Sequence, residues 1–116
     1  MTLYIDLETR SRTDLKKYGI YRYTEDPDFS ILMAGWSVDG APAQIALGHD
    51  EILDIPGLLD PDILKVAHNA QFERVCLGVL VGSLRDPEQW LDTAALAAEY
   101  WYPVSLDAVS KALGVS

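Results

Sequence analysis

The chain has 116 residues, 49% of them hydrophobic, with a single cysteine and a formal net charge of −9. That is enough apolar material for one domain with its own core, and the lone thiol, Cys76, excludes an internal disulfide. The acidic balance excludes a protein that merely coats DNA with a basic surface. No run approaches the roughly 18 apolar residues of a membrane span, and the opening Met1-Thr2-Leu3-Tyr4-Ile5-Asp6 lacks the features of a secretory signal, so a cytoplasmic protein with no membrane partner is expected.

Leu3, Ile5 and Leu7 alternate with Tyr4, Asp6 and Glu8, which is strand periodicity. Residues 10–29 are polar and irregular, with one helical turn over 13–19 closed by Gly19. Residues 30–38 read as a buried strand, Asp39-Gly40 as a hairpin signal, and 43–47 as the returning strand. A short helix over 49–54 stops before Pro56-Gly57, and 64–68 form another strand. A helix over 71–81 puts Phe72, Val75, Cys76, Val79 and Leu80 on its apolar face, with Asn69 as its cap. Trp90-Leu91 is a brief strand ending at Asp92-Thr93. Helices follow over 94–100 and after Ser105, the last with Leu106, Val109 and Leu113 on one face. Three strands joined by short turns should be antiparallel, and the later strands should add in parallel through right-handed crossovers. The expected architecture is α/β, a mixed five-stranded sheet with flanking helices, forming one domain over 1–116.

Two constellations carry chemistry. Residues i and i+2 of a strand share a face, so Asp6 and Glu8 stand side by side. Paired, half-buried carboxylates repel unless a cation sits between them, and hard oxygen ligands of this kind suit Mg²⁺ or Mn²⁺. The same pattern also describes an ordinary strand with a wet face. The second constellation is Ala67-His68-Asn69-Ala70-Gln71-Phe72-Glu73-Arg74, where a strand end meets a helix start. Open α/β sheets place ligands there, and Glu73 falls in the first helical turn, where negative charge is favoured in any case.

The set Asp6-x-Glu8-Thr9, then Asn69-x-x-Phe72-Glu73, then Asp92-Thr93, then Ser105-Leu106-Asp107-Ala108 resembles the DEDD superfamily of 3′–5′ exonucleases with the ribonuclease H-like fold. The run Asp14-Leu15-Lys16-Lys17-Tyr18-Gly19-Ile20-Tyr21-Arg22-Tyr23, followed by Glu25-Asp26-Pro27-Asp28-Phe29, is similar to the proofreading domain of phage-type family A DNA polymerases. The resemblance implies two Mg²⁺ or Mn²⁺ ions that clamp a 3′-terminal phosphodiester for hydrolysis to 5′-mononucleotides. It implies Asp6 as the carboxylate bridging both ions, Glu8 as a ligand of the first, and Glu73, in a place where the superfamily more often has Asp, acting through water on the second. It further implies that the Leu7-Thr9 backbone holds the terminal nucleotide, that Phe72 packs on its base or in the core, that Asn69 shapes the pocket edge, and that Asp92 orders the site. His68 is read as a structural or pocket-edge residue.

The third motif of the superfamily, a Tyr or His followed by an Asp on a later helix, has no match here, so the chain is expected to be cut off before it, to hold metal weakly and to be inactive alone. The implied partners are a single-stranded or frayed DNA 3′ terminus and a downstream polymerase domain. A stand-alone exonuclease acting on RNA or short oligonucleotides, and a degenerate domain that only binds nucleic acid, are the rival readings. Charge is unevenly placed: residues 10–22 hold Arg10, Arg12, Lys16, Lys17 and Arg22 against Asp14 alone, a local net of +4 that leaves −13 on the rest. Arg10, Lys16 and Lys17 are therefore candidate contacts for a phosphate backbone, the rival being a solvated loop.

Overall fold

The structure, a computed structural model, describes residues 1–94. The helix expected after Ser105, with Asp107, and all but the first residue of the helix expected over 94–100 lie outside the described residues.

Five strands make one sheet: β1 (Thr2–Arg10), β2 (Ser30–Val38), β3 (Gln44–Leu47), β4 (Leu64–Ala67) and β5 (Trp90–Asp92), in spatial order β3-β2-β1-β4-β5. β1 lies at the centre, antiparallel to β2 and parallel to β4, while β2–β3 is antiparallel and β4–β5 parallel. Three helices are interleaved: α1 (Leu15–Glu25), α2 (Gly48–Leu53) and α3 (Ala70–Leu80). The molecule is thus α/β with a mixed five-stranded sheet flanked by helices, consistent with a ribonuclease H-like fold.

The alternation of β1 decides its two faces. Leu3, Ile5 and Leu7 are buried, and Tyr4, Asp6 and Glu8 are exposed. The buried set joins Ile31, Ala34, Ile52, Ile55, Cys76, Leu77, Leu84 and Trp90 in one core cluster. Full burial of each such aliphatic side chain contributes about 1.5–3 kcal/mol before entropy is counted. Pairing between β1 and β2 slips between Glu8 and Thr9, where Met33 and Ile31 are consecutive partners and Leu32 is left over. A bulge of this kind bends a strand and re-aims its side chains, here where the acidic pair ends.

Three local expectations need correction. The segment 10–29 is mostly helical: α1 runs on to Glu25 through a kink at Gly19 (φ 85°, ψ 171°). Asp14 caps it by accepting from the backbone N–H groups of Lys16 and Lys17 at 3.0 and 3.3 Å. A glycine is needed at the kink because its φ lies in the region that L side chains avoid. Next, the hairpin signalled by Asp39-Gly40 is present, with both residues at positive φ, but the returning strand begins at Gln44, one residue later than expected. Last, α3 buries Glu73, Val75, Cys76, Leu77 and Gly78, while Val79 is 45% exposed. The buried face is therefore rotated toward the helix start, and it carries Glu73 inward.

Candidate functional site

The residues singled out by pattern gather around the C-terminal ends of β1, β4 and β5 and the start of α3. Asp6 and Glu8 stand on the exposed face of β1, opposite Gly35 and Met33 of β2. Gly35 has no side chain to crowd the carboxylate: a Cβ built there would approach only the Asp6 carbonyl oxygen, at 4.0 Å. Leu7, between them, points into the core and is 6% exposed. Thr9 shares a 2.8 Å hydrogen bond with the Tyr23 hydroxyl, which ties β1 to α1.

β4 ends at Ala67 and β5 at Asp92, side by side in parallel register. Asp92 Oδ1 accepts from the backbone N–H groups of Asn69 and Ala94, each at 2.9 Å. It thereby joins the end of β5 to the turn that opens α3. His68 Nδ1 and Thr93 Oγ1 share a hydrogen bond of 3.0 Å across the same seam. Asn69 occupies the position before α3, but not as a side-chain cap. Its backbone is left-handed (φ 68°, ψ 60°), and its side chain makes no capping bond. The turn is instead closed by Asp92 from outside the helix, and Asn tolerates the left-handed conformation better than most residues. Phe72 is partly buried against the core, with its ring 6.2 Å from that of Tyr23.

Glu73 is the unusual member. It is 3% exposed, and its Oε2 is the buried side-chain oxygen without a hydrogen-bond partner among the described residues. Burial, and then the neighbouring charges of Asp6 and Asp92, push its carboxyl up to about 8. An unpaired carboxylate in an apolar interior is costly, so this group needs either a proton or a cation. Glu73 on α3 thus faces the carboxyl groups of Asp6 on β1 and Asp92 on β5 at one end of the sheet. Among the described residues, no three His, Cys, Asp or Glu side chains are arranged as a metal cage. Mg²⁺ does not require one, since it commonly takes one or two protein carboxylates and completes its shell with water and substrate phosphate. The donor chemistry and the unpartnered Glu73 oxygen therefore fit a hard divalent ion.

Beside Asp6 opens a cleft of about 390 Å³ lined by Tyr4, Asp6, Trp36, Val66, His68 and Thr93, among others. Cys76, also buried, has its thiol pushed up to about 12 by burial and by Glu73, which excludes it as a nucleophile. The basic residues divide. Arg10 is held by both oxygens of Asp28 at 3.0 Å, whereas Lys16 and Lys17 are exposed. Pattern reading missed Lys65, which is wholly buried and donates to the Asp60 carbonyl at 2.7 Å and to Gln89 Oε1 at 2.8 Å. Among the described residues, no helix is long and apolar enough to cross a membrane.

No family model matches the chain. Its sequence is similar to the DNA polymerase of Bacillus phage SP02, with 39% identity over 122 aligned positions that take in 99% of this chain. The chain spans 18% of the length of that relative.

Proposed function

We propose that this chain forms part of a 3′–5′ exonuclease domain of a DNA polymerase, which removes nucleotides from a DNA 3′ end by metal-assisted phosphodiester hydrolysis. The observation that carries the reading is Glu73: a buried carboxylate with an unpartnered oxygen, charge-coupled to Asp6 and Asp92 where three elements end. The similarity to a phage DNA polymerase supports the nucleic-acid context. Asp6 and Glu8 would hold Mg²⁺ or Mn²⁺ from the face of β1, and Glu73 would engage the second ion through water, with its longer side chain still anchored in α3. Bound there, such ions would supply Lewis acidity toward an attacking water and the leaving 3′-oxygen.

The chain's own part is to hold and exclude. Asp92, bonded to the Asn69 and Ala94 amides, fixes the turn that sets Glu73. The Leu7–Thr9 backbone flanks Glu8, and Asn69 stands exposed at the rim; these are the groups that would position a terminal nucleotide. Phe72, wedged against Tyr23, backs that surface from the core side and is given a packing role rather than a base contact. His68, tied to Thr93, orders the β4–β5 seam.

The test is cleavage of a 5′-labelled single-stranded DNA with Mn²⁺, using this chain and the longest native form of the protein, each beside an Asp6→Asn control. A ladder of products shortened from the 3′ end and lost in the control is the expected result. No cleavage by either form, with binding of the oligonucleotide retained, would replace this reading with a non-catalytic nucleic-acid-binding domain. Faster cleavage of RNA than of DNA would move the substrate class instead.

A further inference from the structure

The acidic chain concentrates five cations in residues 10–22, and the structure shows which of them are free to use. Of the five in residues 10–22, Arg10 is taken by Asp28 at 3.0 Å and Arg12 lies 3.9 Å from Asp26. Lys16, Lys17 and Arg22 are exposed and form no ion pair among the described residues. Two of them sit over one aromatic ring: Lys17 Nζ lies 5.3 Å and Arg22 Cζ 5.8 Å from the Tyr18 centroid. The tyrosines of α1 divide by environment. Tyr23 is turned inward, bonded to Thr9 and set against Phe29 at 5.8 Å and Phe72 at 6.2 Å. Tyr18 and Tyr21 are 50% and 54% exposed, on either side of the Gly19 kink.

Large exposed rings interleaved with free cations match a polyanion that also offers flat π-faces, which is the chemistry of a single-stranded nucleic acid. The placement matters as much as the composition. The bond from Tyr23 fastens α1 to Thr9, the residue directly after Glu8. Resting on the exonuclease reading above, we infer that the exposed side chains of α1 (Lys16, Lys17, Tyr18, Tyr21 and Arg22) form a stacking and phosphate platform that guides a single DNA strand toward the carboxylate end of the sheet. Elsewhere the chain is acidic enough to repel the strand, so the platform sets the direction of approach.

The experiment is fluorescence anisotropy of a labelled oligothymidylate with the full chain, in EDTA and in an Asp6→Asn background. Neither metal nor cleavage then enters, and failure of the platform is separable from failure of the nuclease reading. The double variant Tyr18→Ala/Tyr21→Ala should weaken binding by on the order of tenfold or more, as expected for lost base stacking. The double variant Lys16→Gln/Lys17→Gln should make the dependence of log affinity on log salt shallower by about 1.4, at about 0.7 per lost single-strand phosphate contact. All four side chains are exposed, so thermal midpoints should stay at the parental value and confirm folding. Unmeasurable binding, or binding unmoved by both double variants, would overturn the platform. So would displacement of the DNA by a poly-glutamate peptide of equal charge at equal concentration, which would mark the surface as a site for acidic protein segments.

Discussion

Among the described residues, one lysine and one carboxylic acid are buried, and the fold treats them differently. Lys65 on β4 is wholly inaccessible, yet its ammonium donates to the Asp60 carbonyl and to Gln89 Oε1. Gln89 in turn donates to the Ser83 carbonyl at 3.1 Å, so the charge sits within a chain of bonds. Burial draws the Lys65 amine below its usual range, with Asp60 pulling the other way. Glu73 on α3 is nearly as inaccessible, but the like charges of Asp6 and Asp92 face it and one oxygen has no partner. A buried charge that the chain answers by itself belongs to the scaffold. One that it leaves unanswered is reserved for something the chain does not supply.

The largest expected effect sharpens that contrast. The folded Glu73 carboxyl keeps its proton up to about pH 8, while the unfolded one loses it near the ordinary value of 4.5. Within that window the folded, metal-free protein binds more protons than the unfolded chain, so its stability falls as pH rises and levels off above about 8. One proton corresponds to about 1.4 kcal/mol per pH unit, so the loss across the window is on the order of a few kcal/mol. Denaturant unfolding in EDTA between pH 5 and 8.5 should show the decline, and Glu73→Gln should flatten it. Added Mg²⁺ should restore stability at the alkaline end for the parent and do nothing for the variant. A parental curve as flat as that of Glu73→Gln would break the distinction between the two buried charges.

The next effect tests the answered charge. Gln89→Leu removes the acceptor of Lys65 and the donor to Ser83 together. Orphaning a buried polar group costs about 1–3 kcal/mol, and denaturant unfolding at fixed pH should read a loss of that order. Exchanging Lys65 for Met in the same background should recover part of it, because the charge then no longer needs an answer. A smaller effect concerns Cys76. With its thiol buried and raised to about 12, it should stay unreacted with a thiol reagent under native conditions and react fully only in denaturant.

How much of this was legible depended on length and on parity. The nine residues of β1 carry enough alternation to fix both faces, and so Asp6 and Glu8 could be placed together from the pattern alone. β4 has four residues, too few to fix its parity. Register with β1 pairs Leu3 with Lys65 and turns the lysine to the core, while Leu64 is left 38% exposed. α1 was hidden because Gly19 interrupts it and because its tyrosines face both ways. For Glu73, position in the first turn of a helix was readable. Its burial was not, since that depends on how α3 rolls against the sheet and on the left-handed turn at Asn69, neither of which leaves a periodic signal. Asp92 could be seen only as a strand end, because its partners at 69 and 94 are brought together by the parallel register of β4 and β5.

The finest test asks whether the three carboxyls form one electrostatic unit. Burial is the first cause of the raised Glu73 pKa, followed by Asp6 and then Asp92. Neutralising a neighbour should therefore lower the Glu73 midpoint only part of the way, and Asp6→Asn should move it further than Asp92→Asn. An asparagine at 92 retains an oxygen that can accept from the Asn69 and Ala94 amides, so the turn before α3 should survive that substitution. Carbon-detected NMR titration of the Glu73 side-chain carboxyl in EDTA resolves these shifts directly, and the two variants can be compared within one series. If neither variant moved the midpoint, Glu73 would be raised by burial alone. Asp6 and Asp92 would then be neighbours in the fold without acting on it, and the case for a shared cation at this end of the sheet would lose its electrostatic basis.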